Sequence, residues 1–403
     1  MKILIYSHDW APSIGGVQTV TMSLARGLAE WHEDQAGAAA QVTVATATPA
    51  DGMDDSSLPF RVVRRPGVIE LLRLLRNADL IHLAGPSLLP LCLGWLLHKL
   101  MVVEHHSFQA ACPSGLLFYE PDQAPCPGHF MARRYRECLR CNRASAGSWK
   151  SLLLLFATFP RRWFSEKASV NLTPTNWLAS VIRLPRMITM PHGVHEEAAS
   201  GIPSASSPIT FMFLGRLVPL KGVRYLLQAA ARLQHMGFTF RLKIIGEGPE
   251  REGLERMAHE LGLNGCIEFL GYVPPEELEQ NMAGAHAVVL PSLGGEVFGL
   301  AAVESMQQGR VAIVPAGGAM AEVVGDAGLQ FPPADVEGLA QCLRNFLEDS
   351  ALRLKLSRRG QARCRELFEE QRMVKQHFEF YRELLGAREQ PTAKSRDSAA
   401  THA

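Results

Sequence analysis

The sequence has no surplus of charge of either sign. Its 41 lysines and arginines stand against 40 acidic residues, a formal net charge of +1, which removes the electrostatic case for a nucleic-acid partner. It has no apolar run of membrane-spanning length. The greasiest stretches, Leu88 to Leu100 and Leu152 to Phe159, fall short of the ~18–20 apolar residues a span needs. The opening MKILIYSHDW lacks the apolar length and small-residue cleavage site of a secretory signal, and is expected to be a first buried strand. No D-x-D triplet occurs, so a magnesium-bridged diphosphate is not signalled, and no G-x-G-x-x-G dinucleotide fingerprint follows the first strand. Eight cysteines in an otherwise cytosolic-looking chain argue for thiols or metal over a disulfide frame.

What is present is globular. Hydrophobic residues make up 47% and charged residues 20% of 403 residues, a length suited to two domains of ~150–200 residues. Short runs of Val, Ile, Leu and Phe alternate with helical patterns, which predicts an α/β protein with parallel sheets covered on both faces. The first half offers strands at Lys2–Tyr6, Gln41–Ala45, Leu80–Leu83, Met101–Glu104 and Val170–Thr173. The second offers Thr210–Leu214, Leu242–Ile245, Ile267–Leu270, Ala287–Leu290, Val311–Val314 and Leu329–Phe331. After Gly222, the residues Val223, Leu226, Leu227, Ala230 and Leu233 share one helical face. The Ser-, Ala- and Pro-rich stretch His195 to Thr210 reads as a linker between domains at 1–195 and 208–385. The tail 386–403 is too polar to build a core and is expected to be frayed or disordered.

The sharpest chemistry lies in the second half. In FLGRLVPLKG a strand ends at Leu214, and Arg216 and Lys221 flank a short loop before a helix. Ligands of open parallel sheets bind at the carboxyl ends of strands, and a planar guanidinium with a mobile ammonium suits a diphosphate. In LPSLGGEVFGLAAVESMQQG a strand ends near Leu290 and a helix begins near Gly299, leaving backbone N–H groups around Phe298 to Ala301 for an anion. Glu296 and Glu304 carry an E-x7-E spacing, and carboxylates accept hydrogen bonds well from sugar hydroxyls. Two more strand–glycine–helix turns follow the same plan, IIGEGPE and GGAMAEVVGDAG.

Taken as a set, GRLVPLKG, IIGEGPE, IEFLGYVPPEEL, VVLPSLGGEVFGLAAVESMQQG and GGAMAEVV resemble the nucleotide-binding domain of retaining glycosyltransferases of family 4. The motifs cover residues 208–330 and the resemblance extends loosely over 1–385. It implies a GT-B fold, two Rossmann-like doubly wound parallel-sheet domains facing a cleft, with the last helix packing back on the N-terminal domain. It implies that Arg216 and Lys221 bind a donor diphosphate and Glu304 the ribose. Glu296 is implied to contact the donor sugar, with the backbone of Val297, Phe298, Gly299 and Leu300 close by. Val297 stands where the family commonly has proline, and SMQQGR, with Gln307, Gln308 and Arg310, replaces a usual small-residue stretch. These departures bear on donor choice and leave the charges in place.

In the first half, Gly15-Gly16 opens a helix in a loop resembling the family's N-terminal glycine loop, which places Gly16 near substrate. The strand Met101–Glu104 runs into His105-His106. By the family's His-Asp-aromatic pattern, His106 is the histidine that binds the transferred sugar or the acceptor; the alternative is a buried histidine bonded to backbone. Cys112, Cys126, Cys138 and Cys141 then fall within thirty residues and end in a C-x2-C knuckle. Structural zinc, an iron–sulfur centre, disulfides, free thiols and a redox role stay open here, with His129 as a replacement ligand.

The expected activity is hexosyl-type transfer, with retention, from a nucleoside-diphosphate sugar of UDP or GDP type to a hydroxyl of a glycan or lipid-linked glycan. No cofactor is expected for catalysis. No paired carboxylates suit double displacement, so a front-face substitution assisted by the leaving diphosphate is expected. Both greasy stretches read first as buried or interdomain helices of a cytoplasmic protein; for Leu152–Phe159, the flanking Lys150, Arg161, Arg162 and Lys167 give the alternative of peripheral contact with the inner face of a membrane. A nucleotide-sugar epimerase and a non-catalytic binding protein on the same scaffold are the competing classes.

Overall fold

The structure is a computed structural model that describes residues 1–13, 15–31, 40–196 and 208–389. Most of the linker, 197–207, and the tail from 390 onward therefore lie outside the described residues. The chain begins β1 (Lys2–Ser7), α1 (Gly16–Glu30), β2 (Gln41–Thr46), β3 (Arg61–Arg64), α2 (Val68–Asn77), β4 (Leu80–Ala84), α3 (Leu88–Leu96) and β5 (Leu100–Glu104). A small hairpin, β6 (Phe118–Tyr119) and β7 (Ala124–Pro125), precedes the long α4 (Tyr135–Lys167). Then come β8 (Val170–Thr173), α5 (Asn176–Ile182) and β9 (Met187–Thr189).

The second βα series runs β10 (Ile209–Leu214), α6 (Val223–His235), β11 (Phe240–Ile245), α7 (Arg251–Glu260), β12 (Ile267–Gly271) and α8 (Pro275–Gly284). It continues with β13 (Ala287–Val289), α9 (Leu300–Gln307), β14 (Val311–Pro315), α10 (Ala319–Val324) and β15 (Leu329–Phe331). Three helices close it: α11 (Val336–Glu348), α12 (Ser350–Leu367) and α13 (Glu370–Glu389).

Besides the β6-β7 hairpin, two large sheets result among the described residues, a seven-stranded one in the order β3-β2-β1-β4-β5-β8-β9 and a six-stranded one in the order β12-β11-β10-β13-β14-β15. Both are doubly wound: β1 pairs in parallel with β2 and β4, and β10 with β11 and β13. The order reverses beside β1 and beside β10, the places where such sheets open a crevice at their carboxyl ends. Each strand the sequence marks as a continuous apolar run is present. β3 and β9 are additions: short end strands, partly exposed, whose flanking arginines and prolines hide them. The greasy run Leu88 to Leu100 is divided, its first nine residues forming α3 and its end entering β5.

Contacts divide the chain into two compact units. The first holds residues 1–104, 164–171 and 370–389. Its core packs Leu4, Ile81, Leu83, Met101 and Val103 of the strands against Leu71 and Leu75 of α2. α13 packs on α1, where Gly27 leaves room for Val374. The buried Tyr381 hydroxyl meets His82 Nδ1 at 2.7 Å, and His82 Nε2 lies 3.1 Å from Glu104. Burial raises the Tyr381 pKa well above the ordinary tyrosine range.

The second unit holds residues 105–163 and 172–369. Phe211, Phe213, Leu242, Ile244 and Ile313 face Leu226, Leu227, Ala230 and Leu233, the α6 stripe read from its 3.6 period. The opposite sheet face buries Met212, Val288, Ala312 and Val314 under α9 and α10.

Candidate active site

The site is built where the six-stranded sheet reverses its order. Loops leaving β10 and β13, neighbours across the switch point, are tied backbone to backbone: Leu293 N–H donates to Leu220 carbonyl at 2.8 Å. Gly222 makes this possible. Its φ is +66°, and a Cβ there would stand 2.2 Å from the Pro291 carbonyl oxygen, so only glycine lets the two loops close to this distance. The β11 loop joins in the same way. Leu217 N–H donates to Glu247 carbonyl at 2.9 Å, and a Cβ on Gly246 would lie 1.9 Å from the Gly215 carbonyl oxygen.

This clamping brings Lys221 onto Glu296. Their side chains form an ion pair, and Ser292 Oγ donates to the same carboxylate oxygen at 3.2 Å. Both are half-buried, with 27% and 22% of the side chain exposed, which leaves each reachable by a ligand. Arg216 is exposed at the end of β10. Helix α9 starts directly after Gly299, and its first-turn N–H groups, Leu300 and Ala301, precede the first intrahelical bonds, made by Ala302 and Val303 to the Gly299 carbonyl. Glu304 sits half-buried in the second turn of α9. Arg216, Lys221, Glu296, the Val297–Leu300 backbone and Glu304 thus lie on two adjacent strand–helix connections.

The backbone around Val297 is held from a second direction. Thr175 Oγ1, the N-cap of α5, donates to Val297 carbonyl at 3.0 Å. Glu322 of α10 accepts from the backbone N–H groups of Asn176 and Trp177 at 2.8 and 2.7 Å, a carboxylate at a helix N-terminus. His106 stacks on His192 with ring centroids 5.0 Å apart, and His192 meets the edge of Phe298, also at 5.0 Å. His106 therefore reaches the Phe298 segment through a ring that motif reading passes over. His192 stands in a Pro-His-Gly stretch just after β9, and that is its one sequence signal. Glu322 lies inside GGAMAEVV, where attention falls on the glycines.

Gly16 belongs to the other unit. It is the first residue of α1, at the carboxyl end of β1 beside the reversal point of the seven-stranded sheet. Of the departures in SMQQGR, Arg310 is turned inward. It is 1% exposed, donates from Nε to Met282 carbonyl at 2.8 Å, and burial pushes its pKa down to about 10. Gln307 reaches the His195 carbonyl at 2.9 Å. Arg310 and Gln307 thus hold α8 and the chain near residue 195.

Two further features stand apart from this constellation. Cys112, Cys126, Cys138 and Cys141 line one small cavity together with His129, and all eight cysteines of the chain are free thiols. Burial pushes the Cys138 thiol up to about 12 and the Cys141 thiol to about 11. The second feature is α4, interrupted at Gly147, where φ is +75°. Beyond that break it turns Trp149, Leu152, Leu153, Phe156, Phe159 and Trp163 to solvent, with Trp149 73% and Phe156 65% exposed. At 100° per residue these six positions span an arc of about 120°. No helix of the described residues is long and apolar enough to cross a membrane.

The sequence carrying the sheet switch point has known counterparts. Residues 195–363 match the glycosyl transferases group 1 family. The chain is 32% identical over 212 residues to an exopolysaccharide phosphotransferase of Streptomyces coelicolor, a stretch covering 51% of this chain and 22% of that protein. It is 36% identical over 196 residues to D-inositol 3-phosphate glycosyltransferase of Corynebacterium urealyticum, covering 46% of this chain and 45% of the other. The match thus spans less than half the length of these relatives. Among solved structures, Anabaena HepE in complex with UDP-glucose aligns with a TM-score of 0.68 at 17% identity, over 95% of this chain and 100% of that one. Such a likeness shows a common fold, the two-domain parallel-sheet GT-B architecture that the motifs imply.

Proposed function

We propose that this chain is a retaining, hexosyl-type glycosyltransferase that moves a sugar from a nucleoside-diphosphate sugar to a hydroxyl of a glycan or lipid-linked glycan. The observation that carries the reading is the clamp at the sheet switch point, which sets Lys221, Glu296 and the start of α9 side by side within the family-matched segment. A UDP- or GDP-type donor places its diphosphate against Arg216, Lys221 and the α9 N–H groups, where positive charge and helix dipole offset the charge that develops on the leaving group. The ribose hydroxyls bond to Glu304, and Glu296 orients the transferred sugar. UDP is the first nucleotide to test, since HepE is solved with UDP-glucose.

The reaction breaks the bond from the anomeric carbon to the diphosphate oxygen. The acceptor oxygen bonds to that carbon on the same face, and its proton passes to the departing diphosphate. His106, stacked on His192, is the residue assigned to contact the sugar or acceptor. Arg216 and Lys221 bring the cationic charge themselves, and the reading invokes no cofactor. The exposed apolar arc beyond the Gly147 break of α4, with Lys150 and Lys167 exposed on the same stretch and Arg162 instead donating to Ile182 carbonyl at 2.9 Å, suits the headgroup region of an anionic membrane, which is where a lipid-linked acceptor is found. The reading thus sets a cytoplasmic protein on the inner face of that membrane.

Calorimetric titration with UDP, GDP and ADP tests the donor site directly. Micromolar binding of one nucleotide, weakened in Lys221→Ala, is the expected result. No binding of any of the three to folded protein would overturn the assignment.

A further inference from the structure

The four clustered cysteines come from three separate pieces of chain. Cys112 ends a helical turn, its N–H bonded to Phe108 carbonyl at 2.7 Å. Cys126 follows the β6–β7 hairpin, whose other strand accepts its N–H through Leu117 carbonyl at 2.9 Å. Cys138 and Cys141 sit one turn apart on α4, both buried. Despite these origins all four line the same cavity, which has room for about one water-sized sphere, ≈ 10 Å³.

Two of the sulfurs have weak polar contacts: Cys141 Sγ donates to Phe118 carbonyl at 3.3 Å, and Cys112 Sγ lies 3.3 Å from Ser114 Oγ. His129 is 91% buried by its 9% exposure, lines the same cavity, and its Nδ1 makes no hydrogen bond. Four thiols and an unpartnered imidazole nitrogen around one water-sized space are a poor way to fill a core. They match the donor set of a thiophilic cation.

We propose that Cys112, Cys126, Cys138 and Cys141 bind one zinc ion, which staples residues 105–142 against the loop carrying Glu296. Binding exchanges four S–H protons, released to solvent, for four zinc–sulfur bonds of about 2.3 Å. Among the described residues no three of these sulfurs lie within 4.8 Å of one another, so the ion has to draw them closer together. The staple has something to hold. Leu117 carbonyl is 3.2 Å from where a Cβ on Gly294 would sit, and Val297 packs on the cluster formed by Phe108, Ala110, Ala111 and Cys112. Both contacts flank Glu296. The proposal concerns metal and loop order, and stands whether or not the chain transfers sugars.

The test uses the full-length protein purified without chelator, with zinc read by elemental analysis. One zinc per chain is expected, falling by more than tenfold in Cys138→Ser/Cys141→Ser and retained in Cys266→Ser/Cys342→Ser. Because the first variant can fail to fold, cobalt is added to stripped wild-type protein as a second reading. Intense ligand-field bands with a thiolate charge-transfer band are expected, from tetrahedral sulfur coordination. Metal-free protein that gives no such bands overturns the site, as do disulfides among the four cysteines or zinc that survives the double substitution. For the staple, hydrogen exchange of residues 293–297 should speed up on zinc removal; unchanged exchange there would dismiss it.

Discussion

Lys221 is paired with Glu296, a residue 75 positions later, and both charges are thereby partly neutralised in the free protein. A diphosphate that engages Lys221 must compete with this carboxylate, and a sugar that engages Glu296 must share it. On the proposed function, donor binding opens the pair.

Replacing one partner separates the two roles. In Glu296→Gln, Lys221 is released from its pair, so UDP affinity should hold or tighten. Turnover with the sugar donor should fall by ~10–100-fold, the value of one charge-assisted contact of ~1.5–3 kcal/mol. Calorimetry and a product assay on the same protein read both quantities. Weaker UDP binding in this variant would contradict the competition.

Removing Arg216 and Lys221 together should cut kcat/KM by ~10²–10⁴. Stability should change by no more than about 1 kcal/mol, because the pair is half-exposed and such pairs contribute little to folding. A urea melt beside the kinetic assay decides; a large stability loss would recast Lys221 as a structural residue.

Gly222→Ala attacks the clamp without touching a charge. The substitution forces a side chain into positive φ and against Pro291 carbonyl, and should cost about 2–4 kcal/mol. Nucleotide binding should weaken in parallel, since Lys221 is the preceding residue. Thermal melting and titration of the same preparation provide the check.

The exposed arc of α4 makes a separate forecast. Trp149→Ala/Phe156→Ala should lower partitioning onto anionic phospholipid vesicles by at least ~10-fold, given ~1.5–3 kcal/mol for each large apolar side chain taken out of water. Vesicle sedimentation with and without phosphatidylserine measures it. Equal partitioning of wild type and variant would show that this face does not meet lipid.

In the first unit, Tyr381→Phe leaves the buried His82 Nδ1 without its 2.7 Å partner. A loss of about 1–3 kcal/mol is expected from the unsatisfied group, read as a lower denaturation midpoint with nucleotide binding unaffected.

Much of the fold was legible because parallel strands buried on both faces spell themselves in Val, Ile, Leu and Phe. β3 and β9 were not, since an end strand buries little and its arginines or prolines look like loop. Candidate residues were legible by type: Arg216, Lys221, Glu296 and Glu304 follow strands and flank helix starts. What the sequence conceals is partnership. The Lys221–Glu296 pair, Glu322 capping a helix 145 or 146 residues earlier, and His192 bridging His106 to Phe298 all depend on contacts that only the folded chain brings together. Motif reading divides the chain at its linker, whereas contacts place 105–163 and 172–195 with the later residues and 370–389 with the earliest ones.

That return of α13 sets an order of events during synthesis. His82 and Tyr381 are 299 residues apart, so the histidine waits roughly 15–60 s for its partner at translation rates of ~5–20 residues per second. Throughout that interval the face of α1 that receives Val374 is uncovered, while the later sheet is still emerging. The α1 face and His82, made well before α13, are thus among the last parts to be finished, and it is this half-built state that a chaperone would encounter on the ribosome.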